Sequence, residues 1–296
     1  MDEQEKLSNP VIYKKDVVYR PPLESESALL EVGLGCNYRQ CAFCDFVKDE
    51  FKMIPLSEIE ENARLLGQNM PDKTAVFLLG QNNMHLKTDV LLEIMGYIHK
   101  YMPKVEEINL YGRVDDILLK GAFELKSLME SGMRYIHIGV ESGSDEVLAL
   151  MNKNFTAADT RNALKLLDEV SLLYHITYIL GLGGRALWRK HVVETAKLFS
   201  GINPISVWAL ALKVWPDTKL HDMVKAGQFQ ELNYHEMLME ERHILAKSEL
   251  YDCIYMDTTA MGKYSLAHIL PEGREELLRL IDQMLAPFYI GEFRNL

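Results

Sequence analysis

The chain has 296 residues, 48% of them hydrophobic, and a formal net charge of −11 at pH 7. The acidic balance, without a long basic run, argues against non-specific binding to nucleic acid, which needs a surface rich in lysine and arginine. No apolar run approaches the ~20 residues of a membrane helix, and residues 1–8 lack the apolar core of a signal peptide. With four cysteines, three of them clustered, we expect a reduced, soluble, cytoplasmic protein without disulfides.

Apolar segments with the character of strands alternate along the chain with segments of helical spacing. Strands are predicted at residues 27–32, 74–79, 107–111, 134–140, 174–180 and 206–214. Helices are predicted between them at residues 56–66, 90–101, 122–130, 157–170 and 187–200. This alternation is typical of βαβ units and a parallel sheet. Six units favour an α/β fold, a partial (βα)6 TIM-like barrel, in which ligands bind at the carboxyl ends of the strands.

Three parts are predicted along the chain. Residues 1–26 form an N-terminal arm that contains two adjacent prolines, and residues 27–220 form the barrel. Residues 221–296 form a C-terminal extension that is predicted to be mostly helical, with its clearest patterns at 234–247 and 272–285. Because no long linker separates the extension from the barrel, we expect the extension to pack on the barrel.

Three of the four cysteines, Cys36, Cys41 and Cys44, fall within nine residues after the first predicted strand. Such a loop can hold three irons of a cubane and leave the fourth iron open, because iron–sulfur clusters normally have four cysteine ligands. The alternative is a structural zinc site completed by Cys253 or a histidine, although a second Cys-x2-Cys pair is absent. Cys253 lies in an apolar strand, where a lone cysteine is most often part of the core.

The Cys-x4-Cys-x2-Cys motif, with Phe43 before its last cysteine, resembles the radical S-adenosylmethionine (radical SAM) superfamily. The resemblance covers about residues 20–220 and includes Gly-Val-Glu-Ser-Gly-Ser at 139–144 and Gly-Leu-Gly-Gly at 181–184. The commonest family spacing is one residue shorter between the first two cysteines. The resemblance implies a [4Fe–4S] cluster, S-adenosylmethionine (SAM) and a reducing partner such as flavodoxin or ferredoxin. Reductive cleavage of SAM would give a 5′-deoxyadenosyl radical that removes hydrogen from a substrate.

The resemblance also implies which residues surround SAM. They are Phe43, Gly80, Gln81, Asn82, Glu141, Ser142, Lys153, Thr177 and Gly181. The turn at 214–218 resembles a family Pro-Gly-Thr turn in which Asp217 replaces the glycine.

Two of these assignments depart from the family pattern or have an alternative. The family often has Gly-Gly-Glu where this chain has Gly80-Gln81-Asn82, so an amide oxygen of Gln81 or Asn82 would replace the carboxylate. Lys153 matches the residue that pairs with the SAM carboxylate, or it is a lysine favoured at a helix C-terminus. Ser144 is predicted to cap the following helix with its side chain.

The substrate-binding residues are predicted to be Tyr111 and Arg113, which end the third strand. Arg113 suits a carboxylate or phosphate, because guanidinium binds both in a bidentate manner. Its alternative is a surface ion pair with Asp115 or Asp116. Tyr264 is a candidate to close the cavity from the opposite end. No catalytic residue is identified.

The sequence predicts a radical SAM enzyme with one cluster and a small-molecule substrate. Four cysteines are too few for a second full cluster, which argues against sulfur insertion. One alternative is a radical SAM enzyme that modifies tRNA or a peptide, with Lys213, Lys219 and Lys225 as a local basic patch. A second alternative is a non-catalytic metal-binding or redox module.

Overall fold

The computed structural model describes residues 13–14, 18–257 and 266–293. The predicted arm is therefore described only in part, and Tyr264 lies outside the described residues. The strands of the described residues are β1 Ala28–Glu31, β2 Gly33–Leu34, β3 Lys52–Met53, β4 Ala75–Leu79, β5 Glu107–Gly112, β6 Met133–Glu141, β7 Leu173–Leu180, β8 Ser206–Ala211, β9 Cys253–Asp257 and β10 Leu266–Leu270.

The α-helices lie between and after these strands. They are α1 Leu56–Asn69, α2 Thr88–Tyr101, α3 Val114–Glu130, α4 Asp145–Leu150, α5 Ala157–Val170, α6 Gly184–Phe199, α7 Lys219–Lys225, α8 Tyr234–Lys247 and α9 Arg274–Phe293. Each predicted helix is found, and the helix predicted at 122–130 is the second part of α3, which is interrupted by the non-helical backbone of Gly121. None of the described helices is long and apolar enough to cross a membrane.

Among the described residues, eight strands form one sheet in the order β1-β4-β5-β6-β7-β8-β9-β10. Parallel pairing joins β1 to β4, β4 to β5, β7 to β8 and β8 to β9, whereas β10 is antiparallel to β9. All six predicted strands belong to this sheet, so the predicted α/β architecture is confirmed. The extension was predicted to be mostly helical, and it contains β9 and β10 as well as helices. Segments of five residues are too short for periodicity to separate a strand from a helix.

The chain divides into two compact units. Unit 1 comprises Met1–Arg39, Phe46–His137 and Leu166–Leu173, and unit 2 comprises Gln40–Asp45, Ile138–Lys165 and Tyr174–Leu296. This division does not follow the predicted boundaries after residues 26 and 220. The arm, barrel and extension therefore remain a prediction.

The core of unit 1 includes the side chains of β1, β4 and α1. Leu30 pairs in register with Leu78, and both side chains are fully buried. Ile59, Ala63 and Leu66 form the buried side of α1, as their helical spacing predicts. This side of α1 covers β1, and α1 also packs against α2.

The core of unit 2 includes part of the cysteine loop. One buried cluster contains Ala42, Val147, Met151, Ile179, Leu182, Leu212, Leu220 and Phe229. Phe43 and Leu210 pack against this cluster while remaining partly exposed. In the same unit α8 packs against both α6 and α9. The loop between the second and third cysteines is thus fixed by apolar packing within unit 2.

Candidate functional site

The cysteine loop follows β2 and contains Cys36, Cys41 and Cys44, each half-buried and free of any disulfide. In unit 1, Cys36 forms an isolated parallel bridge with Glu50. Gly35 precedes it with a φ of 70°, and a Cβ at this position would lie 2.5 Å from the Glu50 carbonyl oxygen. Only glycine tolerates both conditions, so this residue sets how the chain enters the loop.

In unit 2, hydrogen bonds hold the backbone next to the second and third cysteines. The Ala42 N–H donates to the Met151 carbonyl at 2.9 Å, and the Leu220 N–H donates to the Ala42 carbonyl at 2.8 Å. The Asn152 side-chain amide donates to the Gln40 carbonyl at 2.9 Å. These bonds anchor the stretch of backbone that carries both thiols.

The fourth cysteine, Cys253, belongs to the core of β9. Burial raises the pKa of its thiol to about 12, which disfavours the thiolate that binds metals. Its predicted place in the core is confirmed, and it is a poor fourth ligand for a zinc site. Within the described residues, no three cysteine, histidine, aspartate or glutamate side chains lie closely enough together to hold a single metal ion, whereas the cysteine ligands of a cubane bind separate irons.

Glu141, the last residue of β6, forms the centre of a polar cluster in unit 2. Its Oε1 accepts a hydrogen bond from Lys153 Nζ at 3.2 Å, and its Oε2 accepts one from Thr177 Oγ1 at 3.3 Å. Lys153 Nζ also donates to the Gly139 carbonyl at 3.1 Å. The structure thus brings together three residues that the sequence analysis assigned to SAM binding.

The Glu141–Lys153 pair is buried, and its backbone is strained. Glu141 has a φ of 65°, in the left-handed region that non-glycine residues rarely adopt. A Cβ on Gly139 would lie 2.3 Å from Glu141 Oε1, so the glycine makes room for the carboxylate. Lys153 is 4% exposed, and its ammonium lies 5.9 Å from the Phe43 ring and 5.2 Å from the Phe155 ring. Such burial differs from that of a lysine that merely faces solvent at a helix end.

The segment after Glu141 is held by side chains of α6. The Ser142 hydroxyl lies 2.8 Å from His191 Nδ1 and accepts the Ser144 N–H at 3.0 Å. The Gly143 N–H donates to Thr195 Oγ1 at 2.9 Å. Ser144 occupies the N-cap position of α4, but its buried Oγ makes no protein hydrogen bond. The predicted side-chain cap is therefore wrong, because the hydroxyl does not reach the first-turn amides.

Gly181 begins the glycine-rich turn after β7. Its φ is 81°, and its N–H donates to Glu240 Oε2 at 2.5 Å. Glu240 belongs to α8 and is fully buried. Burial raises the pKa of Glu240 to about 8, although the Gly181 hydrogen bond acts in the opposite direction. At neutral pH this carboxyl group therefore holds its proton.

In unit 1, Gly80, Gln81 and Asn82 follow β4. The Asn82 amide donates to Asn37 Oδ1 at 2.8 Å and to Asp116 Oδ2 at 2.6 Å. Asn82 Oδ1 and Gln81 Oε1 are buried without a protein hydrogen-bond partner. The turn therefore offers the two amide oxygens to which the sequence pointed.

The predicted substrate residues lie at the end of β5 and just after it, because Tyr111 belongs to the strand and Arg113 is the N-cap residue of α3 in unit 1. Arg113 forms a bidentate pair with Asp115, at 2.9 Å and 3.0 Å, and its guanidinium lies 3.8 Å from the Tyr38 ring centroid. The ion pair that was the alternative is thus present, although the Arg113 side chain is buried. The Tyr111 ring meets the Phe77 ring edge-on at 5.2 Å. Burial raises the pKa of Tyr111, so its hydroxyl keeps its proton at neutral pH.

Comparison with family models matches residues 30–198 to the radical SAM superfamily. The chain belongs to this superfamily. It is therefore an enzyme of the class that uses a [4Fe–4S] cluster and cleaves SAM reductively. The match covers more than half of the chain and includes all three clustered cysteines.

Curated relatives are larger proteins with different activities. The anaerobic magnesium-protoporphyrin IX monomethyl ester cyclase of Cereibacter sphaeroides is 23% identical over 251 residues, covering 82% of this chain and 39% of the relative. The tRNA-2-methylthio-N(6)-dimethylallyladenosine synthase of Stutzerimonas stutzeri is 25% identical over 237 residues, covering 73% of this chain and 50% of the relative. The chain spans half or less of the length of these two relatives.

Solved structures share the fold at low sequence identity. Methylornithine synthase has a TM-score of 0.54 and 12% identity, covering 89% of this chain and 85% of that chain. The archaeal Methanocaldococcus infernus Elp3 also has a TM-score of 0.54, with 14% identity, covering 88% of this chain and 63% of that chain. These likenesses show the radical SAM α/β barrel fold.

The residues present suit both cofactors of the superfamily. Three half-buried thiols without disulfides can supply the thiolates that iron–sulfur clusters prefer. The buried Ser144 Oγ of unit 2 and the buried Asn82 Oδ1 of unit 1 each lack a protein hydrogen-bond partner, which leaves each able to bond to a polar group that is not part of the protein. Gly181 has a φ of 81°, which favours glycine, and Met237 and Leu212 line the side on which a Cβ would lie.

Three residues that hydrogen-bond to the predicted site were not predicted from the sequence: His191, Thr195 and Glu240. His191 and Thr195 support the segment after Glu141, and Glu240 supports Gly181. The sequence contains a signal for the burial of Glu240, because its position in α8 follows the helical spacing of the apolar residues there. The buried face of α8 consists of Met237, Leu238, Glu240, Glu241, Ile244 and Leu245.

Proposed function

We propose that this radical SAM enzyme holds its cluster with Cys36, Cys41 and Cys44 and binds SAM around Glu141. The observation that carries the SAM site is the strained and buried Glu141, whose carboxylate is held by Lys153. A non-glycine residue in a sparsely populated backbone conformation costs about 1–3 kcal/mol and persists mainly at functional sites. This strain at the end of β6 supports a ligand-binding role for the carboxylate.

The side chains around Glu141 offer complementary groups to a zwitterionic ligand. When bound, the two cofactors supply an electron and a sulfonium whose cleavage gives methionine and a 5′-deoxyadenosyl radical. The Glu141 carboxylate would accept hydrogen bonds from an ammonium or ribose hydroxyl, with Thr177 keeping it in place. The Lys153 ammonium would attract a carboxylate, and the Phe43 ring nearby supports that cation.

The remaining predicted residues act through backbone shape and amide oxygens. Gly181 would let an aromatic base lie against the backbone of its turn. Gly80 precedes Gln81 and Asn82, whose oxygens without partners would accept hydrogen bonds from the SAM ammonium. Ser142 contributes by fixing the backbone next to Glu141, because its hydroxyl is already bonded within unit 2.

We propose a small-molecule substrate. The net charge of −11 supports this class over a polyanionic nucleic acid. Tyr111 would donate a hydrogen bond to the substrate from its protonated hydroxyl, and Arg113 would offer positive charge to an anionic group. A flavodoxin or ferredoxin is the proposed reductant, and the need for reduced thiols supports a cytoplasmic location.

Modification of tRNA is the second candidate. It is favoured by the tRNA-modifying relative, of which this chain spans half the length. Lys213, Lys219 and Lys225 are all exposed, as a contact to phosphate would require.

Hydrogen transfer from labelled material separates the two substrate classes. The anaerobic, reconstituted enzyme is incubated with SAM and reductant, together with either a small-molecule extract or purified tRNA from cells grown in deuterated medium. We expect deuterium in 5′-deoxyadenosine only with the small-molecule extract. Deuterium transfer only from tRNA would contradict the small-molecule proposal and support the second candidate.

A further inference from the structure

A carboxyl group from the C-terminal extension supports the glycine-rich turn. Glu240 lies on the buried face of α8 and has no exposed surface. Its Oε2 accepts the Gly181 N–H at 2.5 Å, which is the only protein hydrogen bond recorded for that carboxyl group among the described residues. Burying a carboxyl group is costly, so a residue placed there needs a compensating role.

A histidine on α6 supports the segment after Glu141. His191 Nε2 lies 3.1 Å from the Ile179 carbonyl oxygen, which can only accept a hydrogen bond. The proton therefore sits on Nε2, and Nδ1 accepts the Ser142 hydroxyl proton at 2.8 Å. One turn later on the same helix, Thr195 accepts the Gly143 N–H. Two residues of α6 thus fix consecutive positions of the Ser-Gly-Ser segment.

His191 and Glu240 are neighbours, with Nε2 and Oε1 3.8 Å apart. Burial lowers the pKa of His191 to about 4 and raises that of Glu240 to about 8, so both groups are uncharged at neutral pH. Their contacts therefore depend on hydrogen-bond geometry and not on charge. An uncharged amide of the same size should replace Glu240 with little change.

We propose that Glu240, His191 and Thr195 are positioning residues that set the affinity for SAM by fixing the Gly181 turn and the segment after Glu141. This inference rests on the proposed SAM site. It gives the C-terminal extension a functional role, because α8 supplies the acceptor for the Gly181 N–H.

The test compares substitutions at two adjacent buried glutamates of α8. Glu240→Ala removes the acceptor for Gly181, whereas Glu241→Ala removes an equally buried carboxyl group whose bond goes to Tyr255 Oη at 2.7 Å. Glu240→Gln keeps an acceptor without charge. Hydrogen exchange of the peptide containing Gly181 is measured in the full chain, and SAM affinity is measured by equilibrium dialysis of the reconstituted protein.

We expect Glu240→Ala to accelerate exchange at Gly181 and to weaken SAM binding about tenfold, because the Gly181 N–H loses its acceptor. Glu240→Gln should keep the affinity for SAM within about threefold of the wild type, because glutamine keeps an acceptor for the Gly181 N–H. Glu241→Ala should lower stability and leave both readouts unchanged. Equal loss of affinity in the two alanine variants, or unchanged exchange in Glu240→Ala, would overturn the inference.

A second pair of variants keeps the inference testable if Glu240→Ala does not fold. Thr195→Val removes the acceptor for the Gly143 N–H at nearly constant volume, and Thr195→Ser restores it. We expect weaker SAM binding for valine and recovery for serine, whereas equal affinities would overturn the inference. Glu141→Ala separates this result from the proposed function. Unchanged SAM affinity in Glu141→Ala would refute the proposed SAM site. The hydrogen-exchange measurement at Gly181 tests the contact between Glu240 and Gly181 independently of that result.

Discussion

Each of the two units contains a buried glutamate paired with a basic side chain, and the two pairs differ in how completely they are satisfied. In unit 1 Glu24 pairs with His137 at 2.7 Å, and in unit 2 Glu141 pairs with Lys153 at 3.2 Å. Both carboxylates are buried, with 3% and 8% of their surface exposed. Burial alone therefore does not separate a structural pair from a functional one.

The Glu24 pair is saturated with hydrogen bonds. One carboxylate oxygen contacts His137, and the other accepts from Ser27 Oγ at 2.5 Å and Asn109 Nδ2 at 3.2 Å. Burial on its own raises the pKa of Glu24, but the hydrogen bonds from His137, Ser27 and Asn109 outweigh burial and hold the pKa below its ordinary value. Such complete pairing identifies a group that stabilises the fold.

The Glu141 pair is looser and lies on strained backbone. Its two recorded hydrogen bonds, to Lys153 and Thr177, are 3.2 Å and 3.3 Å long, and its φ is 65°. Three residues further on, Ser144 Oγ is buried without a protein partner. Strain and long contacts at one site indicate groups arranged for a ligand, whereas saturation indicates groups arranged for one another.

Removing the carboxylate of the saturated pair should have the largest effect on stability. Glu24→Ala leaves His137, Ser27 and Asn109 without their shared acceptor, and each hydrogen-bonding group left buried without a partner costs about 1–3 kcal/mol. Urea unfolding of the metal-free protein measures this loss. SAM affinity of the folded variant should stay close to that of the wild type. A loss of less than about 1 kcal/mol in the free energy of unfolding would mean that the Glu24 pair contributes little to stability. The two glutamate pairs would then not differ in the way proposed.

Neutralising the strained carboxylate should instead affect binding. Glu141→Gln keeps the shape and a hydrogen-bond acceptor but loses the charge, and hydrogen bonds to charged groups contribute about 1.5–3 kcal/mol. We expect SAM affinity to fall by about tenfold or more, with stability within about 1 kcal/mol of the wild type. Equilibrium dialysis and urea unfolding of the same preparation measure both. A stability loss without an affinity loss would make this pair structural, like the Glu24 pair.

A third buried carboxyl group, Glu240, extends the comparison to a group without a charged partner. Its pKa is raised to about 8, so the native state keeps a proton that the unfolded chain releases above the ordinary value of 4.5. The stabilisation is complete below that value and is lost as the pH rises through about 8. Glu240→Gln should reduce the loss of stability over this range, by at most about 1.4 kcal/mol per pH unit. Identical pH slopes for the variant and the wild type would show that Glu240 is ionised in the native state.

The smallest effect is expected where strain lies outside the site. Ser171 has a φ of 60° in the exposed turn between α5 and β7. Ser171→Gly removes the strain but adds freedom to the unfolded chain, so stability should change by no more than about 1 kcal/mol. SAM affinity should not change. A substantial affinity loss in this variant would mean that strain at Glu141 does not distinguish a functional residue.

Patterns that depend on neighbours in the sequence were predictable. The apolar runs identified six strands of the sheet, and the spacing of Ile59, Ala63 and Leu66 identified the buried side of α1. The motif at the end of β6 identified Glu141, and the end of the following helix identified Lys153, which the structure places in contact with Glu141. These features follow from local periodicity and from a family motif.

Features that depend on partners distant in the sequence were not predictable. Glu240 is 59 residues from Gly181, and His191 is 49 residues from Ser142, so their hydrogen bonds leave no local pattern. Ser144 looks like a helix cap in the sequence, yet its hydroxyl does not bond to the helix. β10 was not predicted, because a short apolar segment suits either a strand or a buried helical turn.

Reductive cleavage of SAM by cysteine variants tests the central assignment most directly. Wild type, Cys41→Ala and Cys253→Ala are reconstituted without oxygen, assayed for iron and sulfide, reduced, and supplied with SAM. The wild type and Cys253→Ala should contain about four iron and four sulfide per chain and release 5′-deoxyadenosine. Cys41→Ala should release none. Equal release by Cys41→Ala, or no release by fully loaded wild type, would contradict the proposed three-cysteine cluster and its use of SAM.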